Sequence, residues 1–417
     1  MSHPSLFAHR DFRLLLLGQT TSQLGTQVSS VAIPLLAVLT LHASSLEVGI
    51  INASSTIAFA LIGLQAGAWL DRMHRRGILI ASDLARAILL ATIPIAAWFG
   101  VLTILQLVIV SLLVGVARVF FDVGYQSYIP SVVGKDRVLA GNSSMEFVRA
   151  SGQVAGPGLG GVLVGLLGAA NVVLVQAVTF ALSAWTLVAI RTREEAIPVP
   201  ERRPSMRSQI VEGLRFVVHN RILRATAIAS AAINFSFAIA SAVNVIFMSR
   251  ILNLPAAGIG LVIAVGSVTV MAGAALTPRF ARWVGSARIV WVSLAVTAPL
   301  SVLGAFAQPG WGVLLLVAGI AAGEFGQIVY SITNVSLRQQ LCPDELLGRV
   351  NATMRVLIMF LFPLGAIVGG VLGELIGARE TVLLSGVLLV LCPVVLFLAL
   401  RGVRDVEDVP AWERPAA

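Results

Sequence analysis

The sequence predicts an all-α membrane protein, with twelve transmembrane helices in two six-helix pseudo-repeat bundles. Three observations carry that prediction: an apolar composition, a series of long apolar runs, and an internal duplication. Of 417 residues, 57% are hydrophobic and 12% are charged. A soluble domain is about 45–50% apolar and about 25% charged. Mean hydropathy is +0.92. These values exclude a soluble enzyme, a disordered chain and a nucleic-acid-binding module. The net charge of +9 fits the basic inner loops of a membrane protein, so no nucleic-acid partner is implied.

A spanning helix needs roughly 20 mostly apolar residues. Such runs lie at about 12–39, 46–70, 78–99, 103–127, 143–167, 170–190, 222–247, 256–277, 287–306, 310–333, 350–375 and 380–400. Each must be helical, because an open sheet edge in lipid leaves backbone groups unpaired. The first run is broken by Gln19, Gln23 and Gln27 and lacks a small-residue cleavage site, so it reads as a span, not a signal peptide. With the N-terminus inside, one set of loops carries Arg72, Arg75, Arg76, Lys135, Arg137, Arg191, Arg202, Arg203, Arg279, Arg349 and Arg401, among others. The other set shows only Arg250 and Arg379. This asymmetry predicts a multi-pass protein of the inner (cytoplasmic) membrane with both termini cytoplasmic.

The longest loop divides the chain into an N-terminal bundle (1–190), a linker (191–221) and a C-terminal bundle (222–417). In the linker, Ile210, Leu214, Val217, Val218 and Ile222 recur at helical spacing. They predict either an amphipathic helix on the inner membrane surface or a solvated linker. A shift of 209 places Gly49 on Gly258, Asn142 on Asn351, Met145 on Met354, Gly160 and Gly161 on Gly369 and Gly370, and Gly168 on Gly377. Two similar halves around a midplane site are a known transporter architecture.

Two motifs carry a resemblance. The first is GAWLDRMHRR, residues 67–76. It resembles the loop signature G-x-x-x-D-R-x-G-R-R of the major facilitator superfamily at Gly67, Asp71, Arg72, Arg75 and Arg76, with His74 in place of the usual glycine. The second is GQVAGPGLGGVLVG, residues 152–165. It resembles that family's antiporter signature G-P-x-x-G-G at Gly156, Pro157, Gly160 and Gly161. Gly152, Gly156 and Gly160 share one helix face, and Pro157 removes a backbone donor. Simple close packing of helices is the alternative reading of such a stripe. EGLRFVVHNRIL and RQQLCPDELLGRVNATMRVL resemble the drug and siderophore exporter branch, which includes enterobactin exporters and macrolide efflux pumps. The resemblance implies the major facilitator fold, and a monomer is the expected working unit.

Charges inside the spans are few and costly, roughly 2.5–3.5 kcal/mol each at the bilayer centre. Asp83 and Arg86, Arg118 and Asp122, and Glu146 and Arg149 stand three or four residues apart. They are expected to pair on one helix face. With Asp71, Arg72, Arg75 and Arg76 they form the expected inner gate. Glu324 differs, since no basic residue lies within a turn or two of it. It is the first candidate for carrying protons, with Asp122 the second. The resemblance implies that spans 1, 4, 7 and 10 line a central cavity. Their amide and aromatic residues Gln23, Gln27, Tyr125, Asn234, Phe235, Asn244, Phe325 and Tyr330 are the candidate substrate contacts, although the aromatic ones equally suit packing or lipid-facing roles.

No G-x-x-x-x-G-K-[ST] loop occurs, so ATP is not the expected energy source. No catalytic constellation, metal site or cofactor is expected. The sequence reading is a proton-coupled exporter of small amphipathic or hydrophobic compounds, such as drugs and antibiotics. The rival reading is a dedicated exporter of an endogenous metabolite such as a siderophore. The expected partners are the small-molecule substrate, protons and the lipid bilayer.

Overall fold

A computed structural model describes residues 9–70, 73–134, 138–192 and 206–408. These residues form thirteen α-helices, with no strand among the described residues. The helices are α1 (Arg10–Leu35), α2 (Ser45–Leu70), α3 (Arg75–Trp98), α4 (Ile104–Val133), α5 (Val138–Leu167), α6 (Ala169–Ala189), α7 (Met206–His219), α8 (Arg221–Ile246), α9 (Ala256–Val284), α10 (Ile289–Val302), α11 (Val313–Leu341), α12 (Asp344–Leu375) and α13 (Ala378–Leu400).

Twelve of these correspond to the expected spans, and α7 is the linker helix. Eleven are long and apolar enough to cross a membrane. The remaining span is α5, which bends by 43° between Ser144–Gln153 and Ala155–Leu167. Pro157 explains where. It has no N–H for the Gln153 carbonyl, and its ring crowds that carbonyl. Several helices run past their apolar stretch. For example, α11 continues to Leu341 and α9 to Val284, because helical hydrogen bonding does not stop where side chains become polar.

The chain divides into two compact units: Met1–Glu201 with Leu254–Ala264, and Arg202–Asn253 with Val265–Ala417. In the first, α1 packs on α5 and α6, and α4 packs on α2 and α3. In the second, α8 packs on α12 and α13, and α10 on α11 and α13.

The duplication reappears in the backbone of each unit. The first span of each half ends in a π-helical turn, Leu36–Thr40 and Phe247–Ile251. A left-handed residue follows each, His42 (φ 54°) and Asn253 (φ 55°), at an offset of 211 (253 − 42). Gly168 (φ 81°) and Gly377 (φ 96°) make the left-handed link between the fifth and sixth spans of each half. The offset is therefore 211 through the first span of the repeat and falls to 209 by Gly49 and Gly258.

The linker helix corrects one expectation. Asn220 caps α8 by accepting from Ile222 N and Leu223 N, both at 3.0 Å, which separates α7 from α8. Of the expected apolar stripe, Val217 is buried, while Leu214 and Val218 are exposed. Phe216 joins Val217 in the core of the second unit. Gly213 lies against α12, where a Cβ would stand 2.6 Å from the Arg349 carbonyl oxygen. Glu212 pairs with Arg349 at 2.5 Å. So α7 docks on its own unit through a face centred on Gly213, Phe216 and Val217, leaving only Leu214 and Val218 of the described stripe uncovered. The side chain of Ile210 lies outside the described residues.

Candidate functional site

The residues expected at the inner gate are placed as follows. Asp71 and Arg72 lie outside the described residues. Arg75 begins α3, half-buried. Arg76 does something the sequence did not suggest: its Nε and Nη2 donate to the carbonyls of Leu187 (3.0 Å) and Val188 (2.7 Å). These are orphan acceptors at the C-terminal end of α6, where a cation is favoured. Arg10 assists by donating to Ala189 O at 3.2 Å. Beside it, Asp11 accepts from Arg191 N (3.1 Å), Thr192 N (2.8 Å) and Thr192 Oγ1 (2.6 Å), fixing the chain as it leaves α6. The second unit repeats the arginine cap, with Arg221 donating to Leu398 O at the end of α13. Arg221 follows Arg10 by 211 (221 − 10), the offset of His42 and Asn253 in the backbone, whereas the sequence shift of 209 places Arg10 on His219.

All three intrahelical ion pairs form. Arg86 bonds Asp83, and both are buried. Arg118 Nε meets Asp122 Oδ2 at 3.4 Å, more exposed. Arg149 Nε meets both Glu146 oxygens at 2.9 and 3.0 Å on an exposed surface. The Arg86 guanidinium also lies 4.2 Å from the ring centroids of both Phe121 and Phe180. These two aromatics are part of the site that sequence reasoning missed. Removing one member of a buried pair costs about 3–5 kcal/mol, so Asp83 and Arg86 are firmly built into the first unit.

The glycine stripe is a contact surface. A Cβ at Gly152 would meet Gln23 and Gln27 at an ordinary 3.8 Å. At Gly156 it would lie 2.3 Å from Gln27 Cβ, and at Gly160 2.4 Å from Val28 O. The stripe therefore seats α5 against α1 with backbone-level closeness. Gly161 faces the other way, toward Gly260 of the segment Leu254–Ala264, where a Cβ would come 2.6 Å from the Gly260 Cα. The second unit repeats the first crossing, with Gly369 against Ile239 O, again at 2.4 Å.

The candidate substrate residues divide into two groups. Gln23, Gln27, Asn234, Phe235, Asn244 and Phe325 are half-buried. Gln23 and Gln27 stand on the glycine crossing, and Asn234 donates to Ser230 O at 2.9 Å. Phe325 packs edge-on against Phe280, with centroids 6.0 Å apart. Tyr125 and Tyr330 are corrections. Tyr125 is buried, stacked on Phe121, with its hydroxyl on Met145 Sδ. Tyr330 is buried with its hydroxyl in a closed network: it receives Ser230 Oγ (2.7 Å) and donates to Thr226 O (3.2 Å), with Asn334 Nδ2 at 3.3 Å. Phenols with satisfied hydroxyls inside a unit hold the unit together, and a buried Tyr normally finds such a partner.

Glu324 sits on α11, half-buried beside Gly266 of α9, where a Cβ would approach the Glu324 Cγ to 3.4 Å. Among the described residues, its carboxyl has no hydrogen-bond or ion-pair partner.

The arrangement matches known proteins. The Major Facilitator Superfamily model matches residues 15–360 and 226–416. The chain is 27% identical over 408 residues to the multidrug efflux pump Tap of Mycolicibacterium fortuitum, covering 95% of this chain and 98% of that protein. It is 26% identical over 411 residues to the enterobactin exporter EntS of Citrobacter koseri, covering 97% of this chain and 95% of that one. The crystal structure of the nucleoside transporter NupG shares the fold at a TM-score of 0.76 and 14% identity, covering 94% of this chain and 99% of that one.

Proposed function

The chain belongs to the Major Facilitator Superfamily, and on that premise we propose that it exports small amphipathic or hydrophobic compounds by alternating access, in exchange for protons. It is a multi-pass transporter, not an enzyme. The observation that carries the coupling is Glu324, a carboxyl within a span and, among the described residues, without a charged partner. A lone ionised carboxylate there costs roughly 2.5–3.5 kcal/mol on insertion scales, so a span keeps one only where its charge can be used. Such a group suits a cycle in which proton binding and release alternate with substrate release.

The remaining roles belong to the same proposal. Gln23, Gln27, Asn234, Phe235, Asn244 and Phe325 form the substrate-contacting set. Asp71, Arg72 and Arg75, with the Asp83–Arg86, Arg118–Asp122 and Glu146–Arg149 pairs, hold the inner gate. The close α1–α5 crossing at Gly156, Pro157 and Gly160 sets a packing that the transport cycle preserves. The chain works as a monomer in the cytoplasmic membrane with both termini inside, and the 191–221 segment links an N-terminal bundle (1–190) to a C-terminal bundle (222–417).

The match to an enterobactin exporter supports a second reading, a dedicated exporter of an endogenous metabolite such as a siderophore. Purified protein in liposomes with an imposed pH gradient, offered a panel of cationic and neutral amphipathic drugs and catecholate siderophores, separates the two. Gradient-driven movement of several drugs supports efflux. Movement of siderophores alone supports the rival. Movement that ignores the gradient removes the proton coupling.

A further inference from the structure

The charge cluster of the first unit contains a feature beyond gating. Asp83 of α3 is fully buried and bonded to Arg86 through Oδ1, while its Oδ2 and the Arg86 Nε are buried with no hydrogen-bond partner. The guanidinium is clasped by two aromatic faces, Phe121 of α4 and Phe180 of α6, each centroid 4.2 Å away. The other ionisable groups facing the pair come from α4, Arg118 and Asp122, which pair with each other at 3.4 Å. From α6 the Ser183 hydroxyl stands beside Asp83. No ionisable residue occurs in α6 between Ala169 and Ala189.

An ordinary buried ion pair fails when one member is neutralised, because the other is left as a bare charge. Arg86 has a second hold. Cation–π attraction strengthens when the cation is desolvated, and both ring centroids lie 4.2 Å from its guanidinium. The carboxylate of Asp83 is thus not the only group keeping Arg86 in place.

We propose that Asp83 is an internal proton-binding site of the first unit. The proton, taken from water, adds to the unpartnered Oδ2, and Oδ1 remains an acceptor for Arg86 Nη2. The Asp83–Arg86 pair passes from neutral to one positive charge, with Arg86 held between Phe121 and Phe180. This site is separate from Glu324 and does not rest on the role given to that residue.

Infrared difference titration of the full-length protein in lipid tests it, read at the carboxylic-acid C=O stretch. One component of the acid band, growing as pH falls, is expected in the wild type, retained in Glu324→Gln and lost in Asp83→Asn. Equal bands in Asp83→Asn and wild type overturn the proposal. Should Asp83→Asn fail to fold, Phe121→Leu decides, since it keeps every ionisable group. With a weakened aromatic seat, Arg86 depends more on the Asp83 carboxylate, and the component shrinks about tenfold at one mildly acidic pH, the equivalent of about 1.4 kcal/mol. A component unchanged in Phe121→Leu also overturns the proposal.

Discussion

The glycine crossing makes a graded prediction. Gly152, Gly156 and Gly160 lie on one face of α5, yet an added Cβ meets different space at each. Gly152→Ala places a methyl 3.8 Å from its neighbours, ordinary contact. It also removes glycine's extra chain entropy, which favours the helix by about 0.5–1 kcal/mol. Gly160→Ala places a methyl 2.4 Å from Val28 O and 3.1 Å from Val28 C and Cα. These are backbone atoms, so no side-chain rotation relieves the clash. Reaching 3.4 Å needs an opening of 1.0 Å (3.4 − 2.4) between α1 and α5. Overpacking of that kind costs about 1–3 kcal/mol. Gly156→Ala collides with Gln27 Cβ at 2.3 Å and belongs with Gly160. Thermal unfolding of the solubilised protein should show an unchanged or raised midpoint for Gly152→Ala and midpoints lowered by several degrees for the other two. Gly156→Leu should in addition stop transport. If all three alanine variants unfold together, the stripe does not face α1 as described.

Two further predictions concern the ends of the spans. Gly213→Leu should lift α7 from α12, because even a Cβ there stands 2.6 Å from Arg349 O; tryptic cleavage after Arg215 should quicken severalfold, while Leu214→Gln, on the uncovered face, should leave it unchanged, and equal cleavage in both would contradict the docking. Asp11→Ala should destabilise the protein by about 1–3 kcal/mol, since two backbone N–H groups lose their acceptor; Asp11→Asn, which keeps one oxygen, should fall between, and an unshifted unfolding midpoint in Asp11→Ala would show that water replaces the carboxylate.

Much of this architecture was legible in the sequence because lipid leaves the chain few choices. A run such as 380–400 must be a helix, and α13 occupies Ala378–Leu400. Local pairs were legible for the same reason: Arg118 and Asp122 are one turn apart on any helix. What was not legible depends on which face of a helix meets another. Tyr125 and Tyr330 stood in spans expected to line a cavity, but a phenol's direction is fixed by partners such as Met145 and Thr226 that apolar periodicity does not reveal. Phe121 and Phe180 read as two more apolar residues until α4 and α6 place them on either side of Arg86. The contacts from Asp11 to Thr192 and from Arg10 to Ala189 span about 180 residues of chain, beyond any local pattern. The linker helix was legible as a helix, yet its docking required knowing that Gly213 would meet the Arg349 carbonyl.

The central claim is that a carboxyl on α11 couples transport to protons. Glu324→Gln keeps the size and hydrogen-bonding capacity of the side chain but fixes it as neutral. The most direct test is proton release from purified wild type and Glu324→Gln on adding a compound that the liposome panel shows to be moved. The account predicts release from the wild type and its loss in Glu324→Gln, with compound binding and gradient-independent exchange retained. Equal release from the two proteins would contradict it and move the coupling to the carboxyls of the first unit.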